Sequence, residues 1–406
     1  MQAGKKNMER MVEVVPDSNW QSLQNFVSQS PWRAPGLLDQ VALDANQLIG
    51  GDADSCLLVD ESGFSKKGDK SVGVSRQWNG RLGKVDNCQV GVFAALCCRD
   101  QATLIDSRLF LPESWTNDAD RCVTAGVPED QIEHRKKAEL ALDMIQSARE
   151  NGIDFRWVGG DGFYGNDPEF LRKLDQRGEI FMIDIHKDQT IYLEAPQPYL
   201  PERKSHRGRT PTRWKTHQVG LEVGQWAEEQ PPSAWEKIVV RHSTKGFILS
   251  RVVHREVWLW DGEEQQAHQW HLVVSDTNLS KNNRKYSLSN APSDTPLQRL
   301  VYMQGQRYWV ERAIEDGKSH AGLADYQVRS WAGWHHHMAM VMLALLFMLE
   351  TKIKNKNSYH LLSCYDIQNF LSHFLPRRDI TKQEVIRQML VRHKQRAFDI
   401  EFHRQI

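Results

Sequence analysis

The sequence has little to offer a cross-linked, membrane-bound or strongly charged fold. It holds six cysteines in 406 residues, Cys56, Cys88, Cys97, Cys98, Cys122 and Cys364, with no CxxC pair among them. That spacing argues against a structural zinc site and, in a chain of this size, against a disulfide framework. The longest uninterrupted apolar run, Met338–Leu349, is twelve residues, short of the roughly 17–25 that a spanning helix needs, and reads as core. The first residues, MQAGKKNMER, contain no apolar stretch that would serve as a secretory signal, so a cytoplasmic protein with no membrane partner is expected. There is no internal repeat and no net charge, Lys plus Arg and Asp plus Glu being 52 each. What is present is an ordinary globular composition, 40% hydrophobic, in a chain long enough for two to three structural units.

Neutrality conceals an uneven distribution. Residues 201–217 (PERKSHRGRTPTRWKTH) carry six Lys/Arg against one Glu, and residues 352–406 carry eleven against five acids, so the remainder sums to −11. Local positive stripes are what a phosphate backbone responds to, through release of condensed counterions. A solvated basic tail accounts for the C-terminal excess equally well.

Hydrophobic periodicity divides the chain. Residues 1–50 read as helical, with Ser18 as a cap for a helix bearing Trp20, Leu23, Phe26 and Val27, and a second helix bearing Leu37, Leu38, Val41, Leu43 and Leu48. Residues 51–187 begin with three β-rich runs, CLLVDES, SVGVSRQWNG and CQVGVFAALC, expected to pair as an antiparallel meander. A helix near Glu129–Asn151, the strand FRWVGGDG, a helix from Asp167 to about Arg177 and the strand EIFMIDIH follow. That order predicts an α/β fold, a mixed sheet with helices packed on it. Residues 188–295 are a Pro-rich basic loop and three further β runs, expected as a small added subdomain. Residues 296–350 read as a long helical stretch and 351–406 as a basic helical region.

Three acids stand out by position. Asp60 ends the run Leu57-Leu58-Val59, Asp161 ends Trp157-Val158-Gly159-Gly160, and Glu311 lies on the helix after the β-rich segment. A carboxylate at the end of a buried strand is costly unless something neutralises it, and two carboxylates about 4 Å apart repel by roughly 4 kcal/mol at an effective dielectric of 20. A divalent cation reverses that sign, and all-oxygen ligands are what Mg²⁺ prefers. Three such acids converging would hold two Mg²⁺ ions (with Mn²⁺ a possible substitute), a pair suited to phosphodiester chemistry. Arg307, Glu311 and Lys318 fall at i, i+4 and i+11, within about 40° on a helix, so one face presents a cation, an acid and a cation. Glu315 shares that face and is the alternative third acid.

These blocks resemble insertion-sequence DDE transposases, most closely the insertion sequence 701 type. The first block is Asp60-Glu61-Ser62-Gly63-Phe64-Ser65-Lys66-Lys67-Gly68 with SVGVSRQWNG and NCQVGVFAA, the second WVGGDGFYG, the third RYWVERAIEDGKSHAGLADYQVRSWAGWHHH. Arg307, Glu311 and Lys318 keep the spacing of the related YREK signature, with Gln304 where that signature has Tyr and Tyr302 the nearest tyrosine. The resemblance covers roughly residues 5–350 and implies an RNase H-like core made of 51–187 and 296–350, interrupted by a β insertion. It implies Asp60, Asp161 and Glu311 as catalytic, metal-binding residues and Arg307 and Lys318 as contacts to transposon-end phosphates. It implies Mg²⁺-dependent hydrolysis at the element's terminal inverted repeats, followed by attack of the freed 3′ hydroxyl on target DNA, in a homodimer at the bacterial nucleoid. The family's N-terminal region extends further upstream than Lys6-Asn7-Met8-Glu9, so this chain is expected to begin late and to lack part of an end-recognition domain.

A non-catalytic DNA-binding derivative that represses or tethers the element is the alternative from a different class. A third reading comes from Gly160-Asp161-Gly162-Phe163-Tyr164-Gly165, which matches GxGxxG after a strand, with Asp184 about twenty residues on, the pattern of a dinucleotide-binding oxidoreductase. Asp161 inside that loop would face a pyrophosphate, which counts against it. His335-His336-His337 cannot converge on one ion, since adjacent helical residues point about 100° apart. The Trp-rich run Val257-Trp258-Leu259-Trp260, with Trp270, reads as sheet packing more readily than as a platform for a flipped base.

Overall fold

Cys56, Leu57, Leu58 and Val59 are fully buried, the pattern of a strand covered on both faces, and they open the central strand of a sheet. The computed structural model describes residues 3–202, 211–243, 246–277 and 283–404, so residues 203–210 of the basic segment 201–217 lie outside the described residues. Strand β1 (Ser55–Ser65) pairs antiparallel along its whole length with β3 (Lys84–Cys98). The far edge of β3 is shared by two strands, the short β2 (Ser75–Asn79) and β4 (Gln101–Leu109). Strands β5 (Trp157–Gly160) and β6 (Phe181–Ile185) then add in parallel on the other side of β1, connected through helices α4 (Lys137–Glu150) and α5 (Pro168–Gln176). The order β4-β3-β1-β5-β6 is the RNase H-like arrangement expected from the sequence.

The meander differs from expectation in one strand. SVGVSRQWNG supplies only the five-residue β2, and the principal outer strand is β4, whose alternation is broken by a register shift opposite Ala94/Ala95 and by Asp106, a half-buried acid paired with Arg108. A bulge shifts the two-residue period by one, hiding the strand from pattern reading.

The β-rich segment continues the core sheet. Strands β7 (Glu236–Ser243), β8 (Gly246–Leu259), β9 (His268–Thr277) and β10 (Arg284–Ser289) form antiparallel neighbours, and β10 pairs with β6 through Leu288 and Ile183. Among the described residues the result is one ten-stranded sheet.

At the N-terminus, α1 (Met8–Val14) is followed by α2 (Trp20–Ser28) and α3 (Ala34–Ile49). The cap of α2 is Asn19, which accepts from the backbone N–H groups of Gln21 and Ser22; Ser18 instead donates to the Val15 carbonyl. An Asn side chain caps as well as Ser, and here Asn19 holds the position with extended backbone.

The stretch after β10 is helical but broken. Helices α6 (Leu297–Gln306) and α7 (Tyr308–Asp316) meet at Arg307, and a π turn, Gly317–Ala321, ends at Gly322 with φ 81° before α8 (Trp331–Lys354). Helix α8 is the one helix among the described residues long and apolar enough to cross a bilayer, and 61% of that stretch is buried inside the fold. Helices α9 (Cys364–Phe374) and α10 (Lys382–Arg404) complete the chain.

The histidine triplet at the start of α8 is structural. His336 lies with its two ring nitrogens 2.8 Å from the carbonyls of Val27 and Trp32, stacked on the Trp32 ring at 3.9 Å. His335 and His337 bond to the carbonyls of Trp331 and Gly322, and burial lowers both to about 4 from the ordinary 6.5. The folded protein keeps these rings neutral, so stability is lost as pH falls from 6.5 to 4, where the unfolded chain takes up protons the native state refuses. The cost is at most about 3 kcal/mol per ring. Melting temperature should fall over that interval, and His337→Gln should flatten the decline; an unchanged slope would remove His337 from the account.

Candidate active-site cleft

The two strand-end acids sit on neighbouring parallel strands. Cys56–Leu58 of β1 run alongside Trp157–Gly159 of β5, which carries Asp60 and Asp161 past the ends of their apolar runs at the same edge. Asp60 accepts from the Glu61 backbone N–H at 2.7 Å. Asp161 caps the short helical turn Gly162–Gly165, accepting from the Phe163 N–H at 3.0 Å. Burial first, and the Asp161 charge second, push the Asp60 carboxyl up to about 7; burial also raises Asp161, with Arg307 acting against the shift.

Glu311 reaches the same place from the first turn of α7. It pairs with Arg307 at 2.6 Å, and Arg307 pairs in turn with Asp184 on β6 at 2.9 Å. The guanidinium is thereby raised above its ordinary value, burial working against its carboxylate neighbours Asp184, Glu311, Asp60 and Asp161. The alternative acid, Glu315, turns toward Arg312 at 3.3 Å and is more exposed than Glu311, 65% against 49%. Lys318, on the π turn, donates to Ser62 at 2.5 Å, and burial together with nearby Arg81 lowers it to about 8.

All five residues singled out by the sequence line one cleft of about 1160 Å³, together with Glu315, Asp184, Arg81, Lys285 and the aromatic residues Trp78, Phe163 and Tyr286. Among the described residues, no three Asp, Glu, His or Cys side chains are gathered tightly enough to form a ready-made metal cage; Arg307 stands between the strand acids and Glu311. The donor set suits a hard divalent cation. Asp60 and Asp161 offer only oxygen, and the burial of charge and the Asp161 repulsion that lift Asp60 are both what a bound cation offsets.

The sequence pattern assigned Asp184 only to a dinucleotide-type loop and gave no role to Ser62 or to the Glu61–Lys137 ion pair at 2.7 Å. The signal for Asp184 was the one used for Asp60, an acid in an apolar strand, Phe181-Met182-Ile183-Asp184-Ile185. Other motifs resolve as packing. A Cβ on Gly165 would meet the Asp184 carbonyl oxygen at 1.9 Å, so this glycine lets the turn after β5 press against β6. Trp270 is buried edge-on against Phe181 at 5.0 Å, Trp260 donates to the Glu264 carbonyl, and neither lines the cleft. Gln304, in the signature's Tyr position, is buried between the helix and sheet, while Tyr302 lies under Arg299 away from the cleft.

The family model for DDE superfamily endonucleases matches residues 1–246, which include Asp60 and Asp161. The chain belongs to the DDE superfamily endonucleases. This endonuclease is also similar to a probable transposase for insertion sequence element IS701 from Microchaete diplosiphon, 22% identical over 327 residues, 80% of this chain and 73% of that protein.

Proposed function

We propose that this DDE endonuclease is the transposase of an insertion sequence, cutting phosphodiester bonds at the element's ends and joining the freed 3′ hydroxyls to target DNA. The observation that carries the reading is the convergence of two strand-end carboxylates and a helix carboxylate on one cleft large enough for a nucleic-acid strand. In this reading Asp60, Asp161 and Glu311 hold a pair of Mg²⁺ ions. Bound there, the metal would supply an activated attacking oxygen and charge neutralisation at the leaving oxygen. Asp60 and Asp161, fixed on adjacent strands, set the position of the ion site. Glu311 would complete the set of oxygens on release from its ion pair with Arg307. Arg307 and Lys318 are then cations facing the phosphate, the first on α7's entry and the second anchored by Ser62. Two protomers, each holding one element end, are the proposed assembly.

The experiment is cleavage of a duplex carrying the element end, with Mg²⁺. Glu311→Gln should abolish cutting while end binding persists, and Glu315→Gln should cut at close to the parent rate. The opposite pattern would transfer the third role to Glu315. Lys318→Met should weaken binding of any duplex and lower the slope of log affinity against log salt by about 1. An unaltered salt slope would mean that Lys318 serves only to support Ser62.

A further inference from the structure

Arg307 is backed by a polar chain that passes through Gln304, the residue this sequence has where the YREK signature has Tyr. Asp184 forms an ion pair with the Arg307 Nε through one oxygen at 2.9 Å, in a geometry that leaves that N–H without a hydrogen bond, and accepts from the Ser287 hydroxyl with the other at 2.5 Å. Gln304 donates to the same Ser287 oxygen at 2.8 Å and accepts from the Ser275 hydroxyl at 2.6 Å. Ser275, Ser287 and Gln304 are 2%, 0% and 4% exposed. The chain thus runs from β9 through α6 and β10 to β6 and emerges in the cleft at one guanidinium. Ser275, Gln304, Ser287 and Asp184 each find hydrogen-bond partners, and a buried network so satisfied fixes the Asp184 carboxylate more tightly than a solvent-facing pair would.

We infer that Asp184, oriented by Ser287 and Gln304, is a positioning residue that keeps the Arg307 guanidinium in the cleft when Glu311 leaves it for a metal ion. This rests on the proposed function. Once Glu311 ligates metal, its i,i+4 pair with Arg307 no longer restrains the arginine. Asp184 does. It pairs with Nε, which shares one edge of the guanidinium with the Nη2 that meets Glu311, so the arginine keeps one carboxylate partner on that edge when Glu311 departs. Asp184 is poorly placed to be a metal ligand itself, since both its oxygens are already engaged.

The test uses the full chain and its Asp184→Asn, Arg307→Gln, Ser287→Ala and doubly substituted forms. Two readouts are taken: single-turnover cleavage of an element-end duplex, and Mn²⁺ affinity of the protein alone by electron paramagnetic resonance. Asp184→Asn should slow cleavage about tenfold to a hundredfold, less than outright loss of a group facing the developing charge, because the guanidinium itself remains. Mn²⁺ affinity should stay within about threefold of the parent. Because Asp184 acts through Arg307, Asp184→Asn combined with Arg307→Gln should be no slower than Arg307→Gln alone. Multiplying rate losses would overturn the inference, as would Mn²⁺ affinity weakened beyond that limit, which would make Asp184 a ligand. Should Asp184→Asn fail to fold, Ser287→Ala carries the same test: slower cutting beside Arg307, and no further loss once Arg307 is Gln. Asp161→Asn separates the two levels of argument. If it still cuts, the metal-cleft function itself fails; if it is inactive while Asp184→Asn cuts at the parent rate, only the positioning role is lost.

Discussion

Replacing Asp60 with Asn will abolish strand cleavage and, in the absence of metal, make the protein more stable at pH 8. The two effects have one cause. The Asp60 carboxyl titrates at about 7 in the fold against an ordinary 3.8, so between those values the native state holds a proton that the unfolded chain has given up. Stability falls as pH rises through that window and remains reduced above it, by roughly 4 kcal/mol at most. This is opposite in sign to the contribution of His335 and His337, whose charging weakens the fold on the acid side. Asn carries no charge to desolvate, so metal-free Asp60→Asn should melt about 5 °C above the parent at pH 8. Added Mg²⁺ should raise the parent's melting temperature and leave the variant's nearly unmoved. Cleavage should drop by at least about a thousandfold, as expected when a group that neutralises transition-state charge is lost. A variant that melts below the parent without metal would show that Asp60 is not held against its own charge.

Gly165→Ala should be among the most damaging single-methyl additions available to this chain. The added carbon would lie 1.9 Å from the Asp184 carbonyl oxygen and 3.0 Å from an Ile183 methyl. The obstacle is backbone, and β6 is pinned on one side by β5 and on the other by β10. Overpacking a core ordinarily costs about 1–3 kcal/mol; an obstacle that cannot rotate away places this case at or above the top of that range. Gly36→Ala, in α3 with nothing within 4 Å of the new carbon, should be neutral or stabilising by up to about 1 kcal/mol. Urea melts of the two variants compare them directly. Equal midpoints would mean that the Gly162–Gly165 turn does not depend on its contact with β6.

The parts of the cleft that were legible share a property. Asp60 and Asp161 each end an apolar run, an arrangement costly enough to be conspicuous in one dimension, and Arg307, Glu311 and Lys318 share a helical face within a few turns. Asp184 offered the same cue but was absorbed by the GxGxxG pattern, where an acid at that distance has another meaning. What could not be read was set by distant partners. Helix α6 gives way to α7 at Arg307, and α7 to a π turn, in a segment whose local composition favours unbroken helix; the break lets Arg307 meet Asp184 on a strand far away in sequence. Strand β4 was hidden by its bulge and by an acid whose partner, Arg108, only the fold reveals as such. The junction between β6 and β10 joins residues about a hundred apart, and no local pattern encodes which edge a strand will choose.

That junction makes the segment between the two halves of the core inseparable from them. Cutting out residues 188–295 would strip β6 of its neighbour and leave a raw row of backbone donors and acceptors beside Ile183 and Ile185, the kind of border along which chains stick to one another. It would also take Ser275 and Ser287 away from Gln304. A miniaturised version of this enzyme must therefore keep at least the strand that borders β6, or supply a substitute for it.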